Sequence, residues 1–425
     1  MKIFIYLVIL ILVPDGLIAQ SIDYKDRTYD PRIKTVEFYR QGWRLSVPYR
    51  NLSDTTRLIL EFDDLSDRVE MYTYTVIHCT PDWQPTDISE TEYLTGLPEY
   101  EIRDYQYSRN TLQPYIHYRL TFPNEQTGIR ISGNYILYVY RNYNRDEPIL
   151  TRRFYIIEPL TPIKADIHRT DNLNHFSTTQ EVDFSLDYSS LSTDNPARDI
   201  RVAVLQNFDW STAITSLYPK YIHPEALVYD FEEQNLFPGG SEFRHFDTKS
   251  LRFNSDRVAE IRFIPPVKHV FLKPDRPGDS KYYVFQEDLS GRFLVKWDDA
   301  HNSDIEADYL MIHFTLELPE PISGGHPYVF GSLTQWDCIP EFKMEFDPAT
   351  SRYVLQTLVK QGYYNYQYRI CDEDGIPIRP NPVEPDFYQT LNDYTIFVYF
   401  KDIRSRFYRL TGLETFPSYK TSSGL

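Results

Sequence analysis

The stretch "NYILYVYR" (residues 134–141) decides the fold. Read with a period of two, Tyr135, Leu137 and Val139 share one face while Ile136, Tyr138 and Tyr140 share the other. Successive side chains of a strand point to opposite sides of its sheet. Both faces are large, so one is expected to be core and the other an aromatic ridge. Similar runs surround it: "RLILEFDDL" (57–65), "MYTYTVIHC" (71–79), "YIHYRLTF" (115–122) and "RRFYIIE" (152–158). Turn-forming "PNEQTG" and "YNRDEP" separate them. No amphipathic helical pattern of twelve or more residues interrupts the series. This spacing predicts an all-β chain of tandem immunoglobulin/fibronectin-like antiparallel β-sandwich domains.

Two breaks divide the chain. "EPLTPIKAD" (158–166) sets two prolines between strand-like runs, and "KWDDAHNSDIEADY" (296–309) is a polar, acidic interruption. The expected units are an N-terminal sandwich over about 30–160, a middle β domain with long loops over 161–300, and a C-terminal sandwich over 305–425. In the middle unit, residues 223–250 and 271–283 read as loops or hairpins projecting from a sheet. Long loops in compact domains are usually functional or mobile.

Residues 1–19 have the layout of a secretory signal peptide. Lys2 supplies the positive end, Ile3 to Val13 an apolar run, and "LIA" precedes a cut expected after Ala19. No later stretch reaches membrane-spanning length, so the expectation is an exported, soluble protein without direct membrane insertion. Lys+Arg 44 against Asp+Glu 61 gives a formal charge of −17 over 425 residues, which argues against nucleic acid. The 36 tyrosines and 26 phenylalanines suit half-buried sheets, where a tyrosine buries its ring and keeps its hydroxyl wet.

"VIHCTPDW" (76–83) raises the question of chemistry. A working thiol needs a base within hydrogen-bond reach and a lowered pKa. On a strand His78 and Cys79 point to opposite faces, so His78 is badly placed to serve as that base. The other cysteines, Cys338 and Cys371, are isolated from Cys79 and from any histidine at metal spacing. Cys79 reads as a buried small hydrophobe, and Trp83 as a cap on the sandwich edge. The phosphate-loop, zinc-protease and nucleophile-elbow patterns are absent; "FPGGSEF" (237–243) lacks the elbow's last glycine. No catalytic residue, cofactor or metal is expected.

The last third resembles the early-set immunoglobulin-like modules that include glycogen- and starch-binding domains. "YVFGSLTQWD" (328–337) and the strand "GYYNYQYRIC" (362–371) carry that pattern, through Gly331, Trp336, Asp337, Gly362, Tyr366 and Tyr368. A sugar site of that kind needs an exposed aromatic after the D-G turn and a lysine in the last-but-one strand. This chain has Ile376 and Gln367 there, and Trp336 reads as core. The resemblance implies that Cys338 and Cys371 lie at opposite ends of a sheet, beyond the roughly 7 Å limit for a disulfide, which predicts three free thiols.

Across about residues 30–320 the chain is similar to the plug proteins of the type IX secretion system of Bacteroidota. The series "IKTVEFYR" (33–40), "LEFDDL" (60–65), "YTYTVIHCTPDWQPT" (72–86), "EYLTG" (92–96), "YIHYRLTFPN" (115–124), "SGNYILYVY" (132–140) and "RRFYIIE" (152–158) carries the resemblance. His78, Cys79, Trp83, Gly133, Asn134, Tyr135 and Arg153 form its signature and are expected to be structural. The resemblance implies a periplasmic, non-enzymatic protein that closes the periplasmic opening of the outer-membrane translocon β-barrel when the channel is idle. Two loops are the expected contacts: Phe237, Pro238, Gly239 and Gly240 in one, and Lys273, Pro274, Asp275 and Arg276 in the other. The alternative is a periplasmic carbohydrate-binding protein acting through the C-terminal module.

Overall fold

Strand Gly133–Arg141 lies between Tyr72–Cys79 and Asn144–Ile157, antiparallel to both. The computed structural model describes residues 22–279 and 281–418; the expected signal peptide lies outside them. The facing sheet is built from Ile33–Arg40, Leu58–Asp64, Ile116–Phe122 and Asp104–Tyr107, in that order. Tyr135, Leu137 and Val139 enter the core between the sheets with Leu58, Leu60 and Phe62. Ile136, Tyr138 and Tyr140 on the opposite face are buried as well. They are not an exposed ridge: they join a second apolar cluster with Ala203, Leu205, Phe397 and Tyr399 from a neighbouring sandwich. Each such side chain removed from water contributes about 1.5–3 kcal/mol, so this seam is a strong joint.

The second sandwich pairs Ile163–Arg169 with Thr179–Asp187, which in turn pairs with Ala226–Tyr229 and Leu236–Pro238. Against it lies a sheet of Ile200–Gln206, Asp393–Phe400 and Arg409–Pro417. In the third sandwich, Gly362–Cys371 is flanked by Arg244–Asp247, Phe293–Val295 and His326–Phe330. Its facing sheet runs Val258–Ile264, Val267–Leu272, Tyr309–Leu316, Arg352–Lys360 and Glu345–Asp347. The third sandwich is therefore inserted into the second, which the last two long strands complete. This corrects the boundaries at 161–300 and 305–425. A reading along the chain joins neighbours in sequence, whereas the second sandwich's closing strands return from nearly 200 residues away.

The stretch 223–250 is likewise not a projecting loop, since it contains Ala226–Tyr229, Leu236–Pro238 and Arg244–Asp247. Nor are there three free thiols. Cys338 and Cys371 form a disulfide with their Cα atoms 6.8 Å apart, and Cys79 alone is free. His326 pairs opposite Cys371 at the start of its strand. After Phe330 the chain reverses through Gln335 and Trp336, both left-handed at φ 60°, and Lys343 then bridges back to Tyr328. That reversal returns Cys338 to the Cys371 end.

Candidate functional site

The signature residues gather where the first sandwich meets the second. Strand alternation sends His78 to one face and Cys79 to the other, as expected. The His78 ring packs edge-on to Tyr135 (4.9 Å) and Phe407 (5.6 Å). Its Nδ1 lies 2.8 Å from Thr86 Oγ1, and Thr86 Oγ1 also reaches the His78 carbonyl at 3.1 Å. Burial pushes its pKa down to about 4, so it is neutral near pH 7. Cys79, inside the seam cluster, has its thiol pushed up to about 12 by burial, against the pull of Arg153. A thiol so protonated is no nucleophile at neutral pH.

Trp83 does not cap an edge. It is buried with φ 58° and meets Trp210 edge-on at 5.3 Å. The Arg153 guanidinium lies 4.2 Å from the Trp83 ring centre and 5.3 Å from that of Trp210. Its Nε and Nη2 donate to the Tyr24 carbonyl at 3.1 and 2.9 Å. Asn134 Oδ1 accepts a hydrogen bond from Tyr399 (3.0 Å), and its Nδ2 donates to the Thr80 carbonyl (3.3 Å). Gly133 leaves room for His78: a Cβ there would lie 2.5 Å from His78 Nε2. Each member thus either fills the first core or ties the first sandwich to the second.

A second joint, unread in the sequence, ties the first sandwich to the third. Asp63, fully buried, accepts hydrogen bonds from Lys360 Nζ (2.6 Å), Tyr309 OH (2.7 Å) and, across 2.8 Å, His117 Nδ1. Lys360 Nζ also donates to the Asp304 carbonyl (2.7 Å) and lies 4.1 Å from the Tyr115 ring centre. Beside it Glu61 pairs with Arg44 and Arg119, while Arg44 reaches Glu37 at 3.0 Å and Asp304 at 2.7 Å. The signal was present in "LEFDDL": acids inside an apolar strand that is buried end to end.

The two expected contact loops are only partly surface. Phe237 is buried against Tyr394, and a Cβ on Gly239 would lie 1.9 Å from the Phe387 carbonyl oxygen. Pro238 is exposed, and Gly240 donates its N–H to Asp386 (3.1 Å). Asp275 is a core anchor: it accepts from Tyr366 (2.6 Å) and Tyr368 (2.7 Å) and pairs with Arg244 and Arg257. Lys273, Pro274 and Arg276 are exposed. Phe237, Gly239 and Asp275 are thus withdrawn from the contact set, because burial leaves them no surface to offer. In the third sandwich, Trp336 packs on Phe243 (6.0 Å) and Phe330 (5.6 Å), and Gln367 donates to the Ser241 carbonyl (2.5 Å). Trp336 is half-buried rather than in the core.

Residues 33–158, the first sandwich with its signature, match the family model described as type 9 secretion system plug protein 1st domain. The chain belongs to the type 9 secretion system plug protein family. Membership carries a type IX secretion-related role in the cell envelope. Among the described residues no helix is long and apolar enough to cross a membrane. The plug-family chain is also similar to a crystal structure of a hypothetical protein from Parabacteroides merdae, at 31% identity and a TM-score of 0.89. That likeness covers 93% of this chain and all of the other, so it takes in all three sandwiches. No curated protein matches this chain.

Proposed function

We propose that this protein is a non-enzymatic, periplasmic plug that docks on the periplasmic opening of the type IX outer-membrane translocon and closes the idle channel. The observation that carries the reading is the family match over the first sandwich. A stopper needs rigid bulk and an interface that can be released. The apolar seam holds the first sandwich to the second, and the buried ionic joint holds it to the third. The signature residues are engaged in that construction, with a neutral histidine and a protonated thiol, which leaves them no nucleophile. Pro238, Gly240, Lys273, Pro274 and Arg276 remain as contact candidates. The test is copurification with the translocon from cells lacking its cargo-shuttle partner, together with outer-membrane permeability to large antibiotics after gene deletion. The expected result is co-elution and a leak. Absence from the complex, or unchanged permeability, overturns the reading.

A further inference from the structure

On the outer face of the second sandwich, Glu181 and Asp183 stand side by side with no lysine or arginine paired to them among the described residues. On the paired strands Ile163–Arg169 and Thr179–Asp187, His168 stands opposite Glu181, and Asp183 lies two residues further along the same face. Their ligand-type atoms all lie within 4.8 Å of one another. By contrast, lysine or arginine pairs with several other buried acids: Lys360 and Arg44 at Asp63 and Glu61, Arg244 and Arg257 at Asp275, Arg369 at Asp209. Among the described residues, no lysine or arginine forms an ion pair with Glu181 or Asp183; Asp183 lies 3.2 Å from His168 Nε2. Glu181 is nevertheless buried, with 6% of its surface exposed. A buried carboxylate beside another is costly unless a cation joins them.

Two further observations point to a ligand. His168 Nδ1 lies 3.0 Å from the carbonyl oxygen of Arg169, which can only accept, so Nδ1 carries the proton. Its Nε2 faces Asp183 Oδ2 at 3.2 Å, donating a proton when the ring is charged and offering a lone pair to a cation when it is not. Metal-binding histidines commonly have this tautomer, fixed by a backbone carbonyl. Second, Asn235 is fully buried and donates Nδ2 to Asp183 Oδ1 (2.8 Å) and to the Val182 carbonyl (2.8 Å). The other arm of that amide, Oδ1, is buried with no hydrogen-bond partner.

We propose that His168, Glu181 and Asp183 form a divalent-cation site on the second sandwich, with zinc the ion of best fit. Zinc takes imidazole and carboxylate ligands at about 2.0–2.2 Å in a tetrahedron, which separates ligand atoms by roughly 3.3 Å. The 3.2 Å between His168 and Asp183 already has that span. Water supplies the fourth position. The similar trio Glu61, His117 and Asp304 is not such a site, because Arg44 fills its centre. Bound metal would cross-link an edge strand to its neighbour, where His168 also lines a surface groove with Phe285 and Tyr388.

The experiment is calorimetric titration of the metal-stripped full chain with zinc chloride at neutral pH, for the wild type, His168→Ala, Asp183→Asn and, as a control, His301→Ala. The expected result is one site, weakened roughly 100-fold or more in the first two variants and unchanged in the control. Circular dichroism shows whether each variant is folded. Nitrogen NMR of the wild-type histidines supplies a readout free of substitution, with a zinc-dependent shift expected at His168 Nε2. Absence of binding, or binding undiminished in His168→Ala, overturns the proposal. So does an NMR titration in which His168 is simply an imidazolium paired to Asp183 and indifferent to zinc.

Discussion

Gly133 and His78 compete for one volume: a Cβ on Gly133 would come within 2.5 Å of His78 Nε2, and the glycine holds φ at 150°. Gly133→Ala must therefore push the imidazole away from Thr86 and into Tyr135 or Phe407. The expected loss is about 1–3 kcal/mol, the usual range for overpacking. In a double-mutant cycle with His78→Ala the two losses should not add, because the smaller side chain vacates the space. Urea denaturation of the four proteins measures the coupling. Strict additivity would show that the histidine signature and the glycine are independent.

Cys79→Ala should leave secretion and copurification intact. Its thiol is protonated and enclosed by Ile136, Tyr155 and Phe397, so the change costs packing alone, about 1–2 kcal/mol. Loss of function at unchanged stability would instead mark Cys79 as chemically active.

The Asp63–Lys360 joint makes two predictions. Lys360→Met leaves Asp63 buried without its strongest partner and should cost about 3–5 kcal/mol, whereas Asp63→Leu with Lys360→Met should recover much of that. The surrounding groups also set the pH response. Burial lowers His117, but hydrogen bonds to Asp63 and Glu61 outweigh it and hold the imidazole up at about 9. Burial raises Glu37 to about 7 despite Arg44. Both folded values lie above the ordinary 6.5 and 4.5, so their stability is full below those values. It is lost as pH rises to about 9 and about 7 respectively. Glu61 runs the other way. Burial would raise it, but His117, Arg44 and Tyr39 hold it at about 2, so its contribution is lost as pH falls from 4.5 toward 2. Urea midpoints should therefore decline between pH 6.5 and 9. His117→Asn should flatten that decline.

What the sequence made legible was local. Alternation in residues 134–141 and 72–79 identified strands, and the same alternation placed His78 and Cys79 on opposite faces. The failures concern where each face goes. Nothing within "NYILYVYR" says that Tyr138 and Tyr140 meet Phe397 and Tyr399, because that contact joins segments more than 250 residues apart. Long sequence separation likewise hid the insertion of the third sandwich and the partner of Asp63. Loop composition misled for a related reason. Proline and glycine in "FPGG" mark a strand end threaded against Phe387, and the aspartate of "KPDRPG" is held in the core by two tyrosines and two arginines.

The disulfide gives the last prediction. Cys338 follows a reversal that returns the chain to the start of its strand, so it reaches Cys371 rather than the far end of the sheet. Denatured without reductant, the protein should titrate one thiol, Cys79, and three after reduction. The bond closes a loop with a sequence separation of 33, for which loop-closure entropy predicts roughly 3–4 kcal/mol. Cys338→Ser with Cys371→Ser should lower the unfolding free energy by about that amount. The loss should fall on the third sandwich, because both cysteines belong to it. Limited proteolysis should then cut first around residues 331–343, where the reversal is held chiefly by short turns and the Tyr328–Lys343 bridge. The apolar seam between the first two sandwiches should keep its protection. Three thiols titrating in the unreduced protein would mean that Cys338 and Cys371 are not paired.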